Sequence, residues 1–348
     1  MPLDTPRPPA HDPCGHISPT SCAGPLRRRT LLAHLLGGAL VLAGGGVTGC
    51  GGGGGEDADP GAGSGTDPGP SGTLVYRNSS ETAVVPLAGG TAIGFDPGDH
   101  PMVDPGMATS PDGLLLAAQD GDNDDFGFAV FDRGGRLQRV LRFERPFAFV
   151  THHLSFHRGG ARLAFSVDEP RSAADDERIA RTLLVSWPEA RVLGTLDGWE
   201  APTWAGDELI VRDPATGRLR GFDAAGADLG WIGDIVTDPQ IAAYDVSADG
   251  RHVVWQDGSR ILAYDRSTGA RSVAATREIS DLSSPCLSPD GRWLALMTLD
   301  QRSATSVFWT TVPHVLPFVP DGAIEVDSAR WALDGPIAEC RAGIGWLP

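Results

Sequence analysis

The residues best suited to chemistry in this 348-residue chain are carboxylates set among glycines and a short run of histidines. Asp120-Gly121-Asp122-Asn123-Asp124 places an oxygen donor at every second position, the alternation with which calcium loops wrap a hard cation. An EF-hand would add a glycine at the sixth position and a later glutamate. Asp120, Asp122 and Asp124 therefore make a partial calcium match, beside the plainer reading of a solvated acidic loop. His152, His153 and His157 supply nitrogen donors, and on a strand His153 and His157 share a face while His152 points away. His157 also stands where related segments carry Ser or Ala before a turn, which suits a structural role. Gly-x-Ser-x-Gly, His-Glu-x-x-His and Cys-x-x-Cys are absent from the sequence. All 28 basic residues are Arg, so Schiff-base, pyridoxal-anchoring and P-loop lysines are excluded. The net charge of -17 opposes binding to nucleic acid or anionic lipid by bulk electrostatics.

The elements that must position these groups begin well inside the chain. Arg27-Arg28-Arg29 precedes an apolar run from Leu31 to Val47, the anatomy of a secretory signal and short for a membrane-spanning helix. The alternative is an uncleaved N-terminal helix. Val47-Thr48-Gly49-Cys50 resembles the bacterial lipobox, which implies a signal peptide over 1–49 and lipidation of Cys50. Arg28-Arg29-Thr30-Leu31-Leu32 resembles a twin-arginine export signal, although an arginine cluster equally serves the general secretory route. Residues 1–26, with Cys14 and Cys22, form an overhang: a long leading region, or a start codon that lies downstream. Residues 50–72 are glycine-rich and acidic, cannot bury enough apolar area to order themselves, and predict a flexible tether reaching roughly 25 Å. Residues 1–49 hold four Arg and two Asp, so the remainder carries 24 basic against 43 acidic groups, or -19.

Residues 73–348 contain a repeat. Ser110-Pro111-Asp112-Gly113, Ser247-Ala248-Asp249-Gly250 and Ser288-Pro289-Asp290-Gly291 each lead into an apolar strand, with looser copies at Gly160, Asp207 and Gly335. The six markers are spaced by 47, 47, 43, 41 and 44 residues. Asp-Gly supplies the positive φ that a tight hairpin demands, and Pro presets its first corner. A second turn follows in several repeats, Asp-x-x-Gly at Asp132 and Asp223 and one residue longer at Asp265 to Gly269. Each unit thus reads as four antiparallel strands, one propeller blade. The prediction is an all-β, six-bladed β-propeller. Its last blade begins at Trp331 and is completed by N-terminal strands, about residues 73–88, acting as a third-and-fourth-strand pair.

These Ser-Pro-Asp-Gly units resemble the TolB-like, or PD40 (WD40-like), β-propeller repeat family over nearly all of residues 73–348. The resemblance implies the fold. For function it implies either a periplasmic protein-binding scaffold or the non-catalytic propeller of a peptidase. TolB carries an additional N-terminal domain that a 22-residue tether cannot supply.

Blade topology sorts the connections. The tight turns fall on one face, and the longer connections fall on the other, where binding usually sits. The candidate binding face on that side comprises Asp96, Asp99, Asp104, Asp120, Asp122, Asp124, Asp125, His152, His153, Asp168 and Glu169. Cys286 and Cys340 stand in consecutive repeats, close enough in an exported protein for a disulfide, or else are plain buried thiols. The leading expectation is a lipid-anchored, extracytoplasmic, monomeric binding module. It needs no cofactor unless calcium, and takes an envelope protein or small ligand. The alternative is a cell-envelope hydrolase or lyase working at the channel mouth with its carboxylates. A purely structural surface lipoprotein is the third reading.

Overall fold

The computed structural model describes residues 69–77, 82–88, 93–95, 102–110, 112, 115–119, 127–132, 134–142, 149–170, 178–237, 243–277, 282–301, 309–326, 331–332, 337–338 and 344–347. All of them belong to one unit, Gly65–Pro348. The signal segment, Cys50 and nearly all of the tether lie outside the described residues. Among the described residues no helix is long and apolar enough to cross a membrane.

Strands β1 (Thr73–Arg77), β2 (Thr82–Pro86) and β3 (Ile93–Phe95) come first. The first blade is β4 (Met102–Thr109), β5 (Leu115–Gln119), β6 (Gly127–Phe131) and β7 (Leu137–Arg142). The second is β8 (Phe149–Phe156), β9 (Arg162–Pro170), β10 (Arg178–Ser186) and β11 (Val192–Asp197). The third is β12 (Glu200–Ala205), β13 (Glu208–Arg212), β14 (Arg218–Asp223) and β15 (Asp228–Val236). The fourth is β16 (Tyr244–Val246), β17 (His252–Asp257), β18 (Arg260–Asp265) and β19 (Ala270–Thr276). The fifth is β20 (Leu282–Leu287), β21 (Trp293–Gln301) and β22 (Trp309–Pro317). The chain ends with β23 (Ile324–Glu325), β24 (Trp331–Ala332), β25 (Ile337–Ala338) and β26 (Ile344–Leu347). Within each blade the strands pair antiparallel in chain order, the all-β propeller arrangement.

Five blades are built from consecutive strands, where six repeats were predicted. The sixth, expected to start at Trp331, forms no blade of its own. β24 and β25 instead pair with β22 as the outer edge of the fifth blade. The two chain ends share a further sheet, ordered β26-β1-β2-β3, with Leu74 opposite Trp346. Its partition also differs from the prediction. Three strands come from the N-terminal side and one from the C-terminal side, so β1 and β2 stand second and third rather than third and fourth. The β1–β2 and β18–β19 pairs are alike in apolar pattern, and two adjacent antiparallel strands carry no mark of their place in a blade.

Ser-x-Asp-Gly has a direct local explanation. Ser247 Oγ donates to Asp249 Oδ1 (2.6 Å) and accepts the His252 amide (2.8 Å), while Asp249 Oδ1 accepts the Arg251 amide (3.0 Å). Ser288, Asp290 and Trp293 repeat this network in the next blade. Gly250 and Gly291 adopt φ of 73° and 69°, the left-handed conformation that glycine enters at least cost.

Second strands are buried almost throughout, because a neighbouring blade covers each of their faces. Val253, Val254 and Trp255 in β17 are buried in succession, as are Leu209 to Arg212 in β13. Outer strands alternate or stay exposed, as in β11. Between the first two blades Phe128 meets Phe165 edge-on at 5.0 Å, inside a cluster that also holds Leu163, Val167 and Val185. A bare β-blade edge is open to aggregation. On the fourth blade β23 covers that edge, pairing parallel to β19.

Candidate functional site

First strands begin, and second strands end, on the face opposite the tight turns. In the third blade that end carries a buried charge network. Arg212, last in β13, is 1% exposed and donates from Nη1 to Glu200 Oε1 at the start of β12. Its Nε donates to Thr237 Oγ1 at 2.8 Å, and that hydroxyl donates onward to the Gly217 carbonyl at 3.0 Å. Burial raises the Glu200 pKa, the Arg212 guanidinium opposes the shift, and the nearby charges of Asp168 and Asp213 add to it. Three carboxylates from β9, β12 and the end of β13 thus share one electrostatic neighbourhood around a single buried cation.

Backbone irregularity marks the same level of the blades. The register of the first strand against the second shifts between Glu200 and Thr203, and again between Ser283 and Cys286. Ala201 and Ser284, inside these shifts, have φ of 51° and 50°, which costs a residue with a Cβ about 1–2 kcal/mol. The Ala201 bulge is held from the second blade. Ser166 Oγ accepts its amide at 2.8 Å, and Thr182 Oγ1 donates to the Trp199 carbonyl at 2.9 Å. Tyr244 places its hydroxyl between the Ala201 and Ile210 carbonyls, and burial pushes the phenol well above its usual range. Ser166, Arg212 and Gln256 hold corresponding places in three successive second strands, all buried. Their signal in the sequence is one polar residue closing an apolar run, as in Leu209-Ile210-Val211-Arg212.

A second set of contacts ties first strands to one another. Ser155 Oγ accepts the Trp204 amide at 2.9 Å, joining β8 to β12. Asp245 Oδ2 accepts the Leu287 amide at 2.7 Å, joining β16 to β20. Cys286 directs its thiol to the Leu287 carbonyl at 3.9 Å and packs against the cluster that holds Trp346 of β26. Thr109 Oγ1 in turn donates to the Trp346 carbonyl at 3.1 Å, joining β4 to β26. Loss of hydration in the seam pushes the Asp245 carboxyl up to about 6, against the hydrogen bonds from Leu287 and Val246. Burial pushes the Cys286 thiol up as well.

Of the residues predicted for the binding face, Asp168 lies in β9, half-buried and close enough to Glu200 to influence its charge. Glu169 pairs with Ile179 in the same strand ladder. Asp104 falls in β4, and His152 and His153 fall in β8, within the register shift between Val150 and Leu154. That shift breaks simple alternation, so the facing of His153 with His157 does not follow. β8 also ends at Phe156. His157 belongs to the turn, where Nδ1 accepts the Gly159 amide (3.0 Å) and Nε2 meets Asp207 Oδ1 (2.9 Å), a structural role. Asp96, Asp99, Asp120, Asp122, Asp124, Asp125 and Cys340 lie outside the described residues, and with them the calcium ligands. Among the described residues no group of three or more His, Cys, Asp or Glu side chains is placed to hold a metal ion. Cys286 is a free thiol. On the tight-turn face a shallow, open depression of about 610 Å³ lies between Arg139, Arg158 and Trp187.

No family model and no curated protein matches the chain. Solved structures do. TolB from Acinetobacter baumannii is similar over 80% of this chain and 67% of its own, at 15% identity and a TM-score of 0.56. A nidogen/laminin complex matches over 79% of this chain and 98% of its own, at 10% identity and a TM-score of 0.53. The likeness is one of fold. A TolB-like propeller is therefore the architecture on which the acidic neighbourhood around Arg212 is mounted.

Proposed function

We propose that the chain is a protein-binding β-propeller that receives a cationic or calcium-bridged partner on its acidic long-loop face. The observation that carries this reading is the ion pair of Glu200 with buried Arg212 at the long-loop end of the third blade, within electrostatic reach of Asp168 on the second blade and of Asp213. The loops predicted to bear Asp96, Asp99, Asp120, Asp122, Asp124 and Asp125 extend the same face, and Asp120, Asp122 and Asp124 are its calcium ligands if a metal takes part. One structure of like fold is itself a protein complex, that of nidogen with laminin, which agrees with partnership between proteins.

In this reading the β26-β1-β2-β3 sheet joins the two chain ends and closes the ring beside the five blades, supported by the pairing of Leu74 with Trp346 and by the hydrogen bond from Thr109 to the Trp346 carbonyl. Residues 1–49 act as a lipoprotein signal peptide, Cys50 carries the lipid, and 50–72 tether a monomeric propeller on the extracytoplasmic side. Affinity capture from envelope extract by the mature domain, with and without calcium, tests the proposal. It expects a partner retained by the wild type and lost when Asp168 and Glu169 are neutralised to Asn and Gln. Capture indifferent to both changes and to calcium would refute it.

A second reading, an envelope hydrolase or lyase, rests on the raised pKa of Glu200 beside Asp168, the setting of a general acid. Turnover of an envelope ester or glycan that Glu200→Gln abolishes, with folding intact, would favour it.

A further inference from the structure

The outer edge of the third blade carries a cluster of opposite character to the acidic face. Trp231 in β15 is 40% exposed, flanked by Leu229 at 57% and Val236 at 53%. The Arg218 guanidinium lies 4.3 Å from its ring centroid, and that of Arg220 lies 4.8 Å away. Trp199 stands 5.9 Å from Trp231 and is braced edge-on by Phe222 at 5.6 Å. Arg220 is matched by Asp228 through two hydrogen bonds. Arg218 has no carboxylate partner among the described residues, so its N–H edge is available while its face is held by the indole.

Local backbone makes this a side-chain platform rather than a site for strand addition. β15 shifts register against β14 twice, and Gly230 and Gly233 have φ of 96° and 54°. Such kinks spoil the straight row of amides and carbonyls that an added strand requires. A guanidinium fixed on an aromatic ring loses less freedom when it captures a carboxylate, and the geometry suits two parallel hydrogen bonds. Exposed Trp and Arg within an apolar surround is also the composition of interface hot spots.

From this geometry we infer a second docking surface, in which Arg218 receives a carboxylate of an acidic, partly apolar segment of a protein partner while Trp231, Leu229 and Val236 cover its apolar side chains. The complementarity is local: an uncommitted guanidinium selects a carboxylate at close range, against the chain's net charge of -17, so the segment needs its apolar contacts with Trp231, Leu229 and Val236 as well. The surface is independent of the acidic face. It uses different residues and the opposite sign of ligand, so either can fail without the other.

The test is titration of the full mature protein with a fluorescent acetyl-Leu-Glu-Leu-Glu-amide peptide at low ionic strength. Polygalacturonate of matched charge and the Gln-for-Glu peptide serve as comparisons. The expected result is saturable binding of the acidic peptide alone, weakened about tenfold by Arg218→Ala and by Trp231→Ala. Arg218→Lys, which keeps charge but loses the planar fork, is expected to bind with intermediate affinity. Arg136→Ala, on an exposed turn of the first blade, is expected to leave binding unchanged. Binding equal in wild type and Arg218→Ala, in protein shown by circular dichroism to be folded, would overturn the inference. Preference for polygalacturonate would overturn it in favour of an acidic glycan. Dimerisation by sedimentation that Arg218→Ala abolishes would overturn it in favour of a second copy of this chain.

Discussion

Asp245 is a carboxylate whose hydration is sacrificed to a seam between first strands, and its titration follows from that position. In the unfolded chain it loses its proton near pH 4; in the fold it does so at about 6. Between those values the native state holds more protons than the unfolded state, so this group makes stability fall as pH rises from about 4 to 6. The residue keeps some exposure, which limits the effect to about 2 kcal/mol. Asp245→Asn is expected to keep the acceptor for the Leu287 amide, remove that slope, and raise stability at pH 7. Denaturant titrations of both proteins at pH 4 and pH 7 check this. Arg212 behaves differently because it is already paired. Arg212→Ala strands Glu200 and Thr237 and is expected to cost about 3 kcal/mol in chemical denaturation, whereas joint replacement of Arg212 and Glu200 by Met and Leu costs less. For the cysteines, a titration under denaturing, non-reducing conditions is expected to find Cys286 free; protection of both Cys286 and Cys340 would restore the disulfide.

At the scale of elements, the turns were legible because their chemistry is local. Ser247, Asp249 and Gly250 form a network within five residues, so spacing alone predicts it. Strand number within a blade was not legible, since β1–β2 and β18–β19 have the same apolar pattern and differ only in which partners lie across the ring. Arg212 was also hidden. It closes an apolar strand in chain order, and its partners Glu200 and Thr237 lie 12 and 25 residues away in sequence. The bulge at Ala201 left no trace beyond Glu200-Ala201-Pro202. The third-blade end offers an element-scale prediction at Gly217, which has φ of 70° and whose added Cβ would run into the Thr237 carbonyl. Gly217→Ala is expected to lower stability by roughly 1–3 kcal/mol and loosen the Arg212–Thr237 contact, seen as faster amide exchange at Thr237.

For the whole molecule, a propeller gains by joining its ends, because each free blade edge is a template for unwanted pairing. The first strands lie in the order β4, β8, β12, β16, β20 and β26, and β26 also rests against β4. Deleting residues 344–348 removes Trp346 from Leu74, Cys286 and Thr109 together. That truncation is expected to lower the melting temperature and expose an aggregation-prone edge, measured by thermal scanning with light scattering. The proposed acidic face depends on the packing of the second blade against the third, since Asp168 in β9 and Glu200 in β12 belong to different blades that meet there. Its binding role is tested most directly by the affinity of the mature propeller for a short Arg-rich peptide across a salt series. The affinity is expected to fall steeply with salt and to drop about tenfold when Asp168 and Glu169 are neutralised. Binding that ignores both salt and those two carboxylates would contradict it.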